Sequence, residues 1–261
     1  MVGIAFFCLL LVAAWEFFRP RRPREFPALP RRLGNVGIWI ANLFLAAFLL
    51  DPPARVRPAL EALLGLHFPS WPIADAWLSF AAGFMLLDLI RYAVHRCEHA
   101  VPLLWRVHAL HHSDPDVDVT TSLRHHPIEY VLASAVYSLA IIVFDIPAAV
   151  VLIYGLAVFA SEAVQHGNIC LPEKVERCLQ PLLVTADMHR IHHSLSFDQA
   201  NANYGAVLSV WDRFFGSYIR ITRAEHRALV FGVRELPRRD CLKPSVMILT
   251  PWLMSRASAP R

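Results

Sequence analysis

Residues 128–144 (IEYVLASAVYSLAIIVF) and 146–165 (IPAAVVLIYGLAVFASEAVQ) are two apolar stretches broken at Asp145-Ile146-Pro147. Each is long enough to cross a bilayer core as a helix, which takes about 20 residues. Proline at the break favours a tight turn. The pair reads as a membrane hairpin, and it decides the fold: the chain returns to the side it left and delivers His166 there. Toward the N-terminus, residues 73–94 form another apolar span. Residues 33–50 offer a further uncharged run, and residues 2–18 are apolar except for Glu16. Arg19, Arg21, Arg22, Arg24, Arg31 and Arg32 follow that first stretch. A secretory signal carries its charge before the apolar run, so 2–18 is expected to be an uncleaved anchor. By the positive-inside rule the arginine loop is cytoplasmic and the N-terminus outside. Residues 51–72 are then an outside loop with a short interfacial helix near 59–66. Trp39, Trp71, Trp77 and Tyr92 read as membrane-belt aromatics. The expected fold is an all-α integral membrane protein with about five transmembrane helices.

Composition agrees. Of 261 residues, 56% are hydrophobic and 18% charged, against about 25% charged in an average soluble domain. This excludes a disordered chain and a disulfide scaffold. The formal net charge of +4 is mild, and arginines beside apolar runs suit a membrane surface rather than nucleic acid. Cys8, Cys97, Cys170, Cys178 and Cys241 form no CxxC pair and read as reduced, structural thiols. After residue 172 the chain is more polar, with residues 182–194 reading as helical and 255–261 as a frayed tail.

Thirteen histidines are unusual in so apolar a chain. His95 and His99 form HxxxH. His108, His111 and His112 form HxxHH, and His189, His192 and His193 repeat it. At the chain's own histidine frequency an HxxHH is expected about 0.03 times. On a helix, positions i, i+3 and i+4 share a face, so each box is expected to aim its imidazoles at one point. Neutral imidazole is the commonest side-chain metal donor. Eight aligned rings exceed the needs of one four-coordinate zinc, so two metals are the economical reading. The hairpin brings all three boxes and His166 to one membrane face, the cytoplasmic one. His166, with Gly167 to turn the backbone and Asn168 to hold a coordinating water, is the expected ninth ligand. His126, before Pro127, is a further ligand or a group behind one. Asp88 shares a helix face with Tyr92, His95 and His99, and either orients a ligand histidine or pairs with Arg91. His67, His125 and His226 lack partner spacing and read as surface or structural.

Several segments resemble the fatty acid hydroxylase/sterol desaturase superfamily of membrane-bound non-haem di-iron proteins. These are 88–99 (DLIRYAVHRCEH), 104–113 (LWRVHALHHS), 124–129 (RHHPIE), 165–168 (QHGN), 188–193 (MHRIHH), 203–205 (NYG) and 211–216 (WDRFFG). The resemblance covers about half the chain. It implies two iron ions held by His95, His99, His108, His111, His112, His166, His189, His192 and His193. Asp88, His126, Glu129, Asn168 and Asn203 serve the reaction. It further implies a lipid substrate, O2 as co-substrate and an external electron donor. No haem or flavin motif is present, so electrons come from a partner of ferredoxin, cytochrome b5-like or reductase type. The chain divides into N-terminal spans (1–82), a catalytic region (83–220) and a cytoplasmic tail (221–261). The expected membrane is the inner membrane of a bacterium or the endoplasmic reticulum of a eukaryote. Two rival readings stand beside this one. Residues 95–99 match HxxEH, a zinc-protease signature with Glu98 as base, and the histidines could serve non-catalytic metal binding.

Overall fold

The computed structural model describes residues 2–49 and 53–254; the tail expected at 255–261 lies outside them. The described residues form α1 (Val2–Phe18), α2 (Ala28–Leu49), α3 (Pro53–Leu64), α4 (Ala76–Ala100), α5 (Pro102–His112), α6 (Pro127–Phe144) and α7 (Ala148–His166). Short helices follow: α8 (Glu173–Leu179), α9 (Ala186–His192), α10 (Phe197–Ala200), α11 (Val210–Phe214), α12 (Arg223–Ala228) and α13 (Pro244–Leu253). Two isolated bridges are the only β pairing among the described residues. All five cysteines are free.

Helices α2, α4, α6 and α7 are long and apolar enough to cross a membrane. Their outer faces expose Phe44, Phe48, Trp77 and Leu139, as lipid-facing helices do. Helix α1 has 17 residues and so spans about 26 Å, short of a hydrocarbon core of about 30 Å. The hairpin forms where the sequence places it. His126 caps α6 by accepting from Ile128 N, and Pro127 fills the first turn. Asp145 ends α6 in the left-handed conformation (φ 52°), and Pro147 starts α7. Helix α4 continues to Ala100, past the expected end at 94, so box one lies within a helix of 25 residues. The expected interfacial helix near 59–66 lies earlier, at Pro53–Leu64. The segment 182–194 is helical only over Ala186–His192, because Leu183 pairs with Leu208 and Thr185 caps the helix.

A buried polar layer fastens the N-terminal helices to the histidine region. Arg31, 1% exposed, pairs with Asp114 at 2.8 Å and with Asp118. Arg32 reaches Asp118 at 2.8 Å and Glu16 at 3.3 Å. Asn35 donates to Asp114 and accepts from Arg124, whose guanidinium also reaches the carbonyls of Leu110 and Cys241. Arg21 pairs with Asp187, and Arg22 donates to Leu229 O at 2.6 Å. Four of the six loop arginines thus carry structural contacts in addition to any topological role. Charges taken out of water need such partners.

Candidate metal centre

Box one lies on α4, box two on α5, and box three on α9 with His193 as its C-terminal cap; His166 ends α7. Their ring nitrogens collect in two groups. The first holds His95, His99, His108, His112 and His192; the second holds His111, His166, His189 and His193. The boxes therefore do not each aim at one point: both HxxHH boxes divide between the groups. His108 and His112, one turn apart, go one way, while His111 points across a helical step of about 100° to the other. The groups share a wall, where the rings of His112 and His193 stack at 4.5 Å.

The contacts are between Nε2 atoms. In the first group His95 and His192 stand 2.9 Å apart, His99 and His112 3.1 Å, and His108 and His112 3.2 Å. In the second, His166 is 3.1 Å from His111, 3.0 Å from His189 and 3.1 Å from His193. The opposite nitrogens explain why the His95–His192 contact is not an ordinary hydrogen bond. His95 Nδ1 donates to Tyr204 O and His192 Nδ1 to Ala202 O, both at 2.8 Å; His166 Nδ1 donates to Glu162 O at 2.7 Å. A carbonyl only accepts, so in the neutral rings these Nδ1 atoms carry the proton and the Nε2 atoms carry lone pairs. His95 and His192 thus face each other lone pair to lone pair, an arrangement a cation between them resolves. Two nitrogens each about 2.1 Å from one ion lie about 3.0 Å apart at a right angle and about 3.4 Å at the tetrahedral angle. The residues fit metal ions.

Burial and neighbouring imidazoles hold His111, His112, His189 and His193 well below the usual histidine range and His192 at about 3. They are therefore neutral, the form that ligates metal.

A second layer orients the rings. Glu129 Oε1 takes His108 Nδ1 at 3.0 Å and His125 Nδ1 at 2.8 Å. His125, which reads as surface or structural in the sequence, is partly buried and its ring stacks on His111 at 4.5 Å. Burial alone would depress its pKa, but the Glu129 carboxylate raises it. Its i, i+4 spacing to Glu129 is the signal that could have found it. Glu98 also approaches His108, 3.6 Å from Nδ1. Tyr204 and Trp105 set their rings 5.2 and 5.0 Å from His99. Between the two groups lies a chamber of about 20 Å³ lined by His95, His108, His111, His166 and His189, room for about one water.

Asp88 touches neither a ligand ring nor Arg91 directly. It accepts from Tyr154 OH, Val207 N, Leu208 N and Trp211 Nε1 at 2.9–3.2 Å, while Arg91 pairs with Glu162 at 2.6 Å. Asp212 completes the device, accepting from Tyr204 N and Gly205 N at 2.7 and 2.9 Å. The two carboxylates fix the loop whose Tyr204 carbonyl holds His95. Asn203, left-handed at φ 56°, binds Met188 O and Ile219 backbone. It ties this loop to α9 rather than touching the rings. Asn168 does not hold a water at the centre: its side chain binds the backbone of Arg22 and the Arg190 guanidinium. Gly167 has φ −48°, open to any residue, and is small because an added Cβ would lie 2.7 Å from Val12 Cγ1. His126 caps α6 and donates through Nε2 to Ile248 O at 3.0 Å, away from both groups. Tyr92 is no belt aromatic; it is buried, bonded to Ser217 and stacked on Phe215. Trp71 likewise binds Ser79 at 2.8 Å and packs among apolar residues.

His67 is exposed, whereas His226 is buried, 3.8 Å from Asp187. Burial, then Arg21 and Arg190, lower His226 to about 4 from the usual 6.5. Between those values the unfolded chain binds more protons, so stability falls as pH drops from about 6.5 toward 4. Melting curves at pH 7.5 and 5 should show the loss, and His226→Asn should lessen it by the share of this one ring, the buried histidines of the centre contributing the rest with the same sign. Equal pH slopes for the two proteins would remove His226 as a cause.

A bundle of membrane-length helices that closes two histidine groups at one end defines a helical membrane protein with a candidate metal centre. The sequence matches the fatty acid hydroxylase family model over residues 80–217, more than half the chain, and the protein belongs to that family. Among curated relatives, ornithine lipid hydroxylase OlsE of Rhizobium tropici is 28% identical over 185 residues, 70% of this chain and 53% of that protein. Alkylglycerol monooxygenase of Homo sapiens is 30% identical over 62% of this chain and 34% of its own length. Lathosterol oxidase of Homo sapiens is 28% identical over 76% and 62% respectively. The chain thus spans between a third and three fifths of these relatives. No solved structure matches it.

Proposed function

We propose that the protein is a di-iron oxidoreductase that uses O2 to hydroxylate or desaturate a C–H bond of a lipid. The observation that carries this is the convergence of nine buried imidazoles, through Nε2, into two adjoining groups at one end of an apolar bundle. Imidazole alone does not select iron over zinc or copper; family membership supports iron, and the names of the three relatives support a lipid. Bound iron would supply the redox chemistry that activates O2 for attack on an unactivated C–H bond, which no side chain can achieve.

The chain's own residues supply placement. The carbonyls of Tyr204, Ala202 and Glu162 fix three rings in the tautomer that presents Nε2 inward. Glu129, steadied by His125, orients His108. Trp105 and Tyr204 flank the first group and exclude water. Asp88, Asp212 and Asn203 act at one remove, as positioning residues for the loop that carries Tyr204. A single-zinc hydrolase built on His95, Glu98 and His99 leaves the second group without a role.

The site faces the cytoplasm, on the strength of the arginine-rich loop, and an external redox partner docks there. A reporter fused after Ser113 should read cytoplasmic and one after Arg57 outside; the reverse pattern overturns the orientation. The activity is tested by mass-spectrometric lipid profiles of cells with and without the gene. A lipid class that gains one oxygen or loses two hydrogens only when the gene is present is expected. Identical profiles in oxygenated, iron-replete cells would sink the reading.

A further inference from the structure

Helices α1, α2, α3, α6 and α7 border a partly open cavity of about 1150 Å³ that begins at the Asp145–Pro147 turn, the end of the hairpin away from the histidines. It is as large as the biggest ordinary ligand pockets, about 1,000 Å³. Its wall is mostly apolar, and the charged groups at the turn are already satisfied. Arg57 donates to the carbonyls of Ile142, Phe68 and Pro69 at 2.9, 2.8 and 3.2 Å and pairs with Glu61 and Asp145 at 3.3 and 3.1 Å. The Trp71 indole donates to Ser79. A charged headgroup finds no free counter-charge among these groups; a hydrocarbon chain needs none.

The other end of the cavity lies on the face of α7 that also carries His166. Ala148, Leu152, Gly155 and Phe159 line it from α7, at spacings of three and four residues that share a face. The same stripe continues to Glu162 and His166, which line the small histidine chamber. At 1.5 Å per residue the cavity runs about 17 Å along α7, and Phe159 lies about 10 Å from His166. Gly155 stands midway. No atom lies within 4 Å of a Cβ added there, so packing does not require the glycine, and glycine weakens a helix interior relative to alanine. Gly155 is exposed, and with no side chain it keeps the middle of the wall open.

We propose that this cavity receives the hydrocarbon tail of the lipid oxidised at the metal centre, and that Gly155 sets the length of tail admitted. The proposal rests on the lipid-oxidation reading above and assigns the part of the site that recognises chain length. Gly155→Trp fills the middle of the cavity; Leu152→Ala enlarges it.

Two measurements test this. The first needs no turnover. Wild-type and Gly155→Trp protein in nanodiscs are irradiated with fatty acids of graded length carrying a diazirine on the terminal carbon, and labelled peptides are mapped. Long probes should label Trp71, Ile142 and Val151 in the wild type and lose that labelling in Gly155→Trp, while Trp77 on the outer face of α4 stays labelled in both. Cavity labelling that persists in Gly155→Trp, or is absent from the wild type, overturns the proposal; persistence would mean bilayer lipid only. The second compares oxidised-lipid profiles of cells. Gly155→Trp should shift products to shorter chains, the longest falling roughly tenfold, and Leu152→Ala should shift them to longer ones. The opposite shift makes Leu152→Ala decisive if Gly155→Trp fails to fold. An unchanged length distribution in the folded variants overturns the proposal. If wild-type cells hold no oxidised lipid beyond that in His192→Ala cells, the lipid-oxidation reading fails instead, and the labelling still decides the cavity.

Discussion

Replacing His192 by alanine should remove most of the bound metal and all measurable lipid oxidation, and replacing His111 should do the same from the other group. His192 stands 2.9 Å from His95 and belongs to a group of five. Its loss deletes a donor that the Ala202 carbonyl holds in place. His111 belongs to the group of four, where one donor is a larger fraction of the set. Loss of an outer partner of a ligand typically costs 10–100-fold in affinity or activity, and loss of the ligand itself should cost more. Both variants should remain in the membrane, because the apolar bundle does not depend on these rings. Metal analysis of purified protein with an O2-uptake assay reads the outcome. Full activity in either variant would falsify the two-group assignment, and His67→Ala serves as the control that changes neither readout.

His166 and His126 should separate sharply. The Nε2 of His166 lies 3.0–3.1 Å from three other imidazoles, so His166→Ala should lower metal content by a clear fraction of one equivalent. His126 accepts from Ile128 N and donates to Ile248 O, so His126→Ala should keep its metal. Its cost is the lost helix cap, about 1 kcal/mol, with activity lowered only as far as Glu129, in the same capping box, shifts from His108. Side-by-side metal analysis and melting curves distinguish the two. Metal loss in His126→Ala with retention in His166→Ala would reverse the roles and require a different register for α7.

The helical fold and its membrane-length helices were legible because both depend on local properties. A run of apolar residues, a proline after Asp145 and a histidine before Pro127 act within a few residues of chain. The candidate ligands were legible for the same reason: HxxHH is a short-range pattern with one chemical use. Their division between two groups was not. Whether His111 joins His112 or His166 depends on where α7 and α9 sit against α5, and no spacing within box two carries that information.

Asp88 shows the same boundary from the other side. A buried carboxylate on the helix face of His95 was rightly singled out, but its partners, Val207, Leu208 and Trp211, come from about 120 residues away. Asn168 and Gly167 stand beside a proposed ligand in sequence, yet one binds the N-terminal arginine segment and the other makes room for Val12. The arginines read as a topological signal also anchor α2 to Asp114 and Asp118. The sequence by itself determined which residues must be buried in helices and which must be neutral donors, since hydropathy and ligand chemistry belong to single residues and short periods. Only the tertiary structure decided which donors face one another, which carboxylates orient them and where an apolar cavity opens, because those depend on distances between helices that meet only when the whole bundle closes.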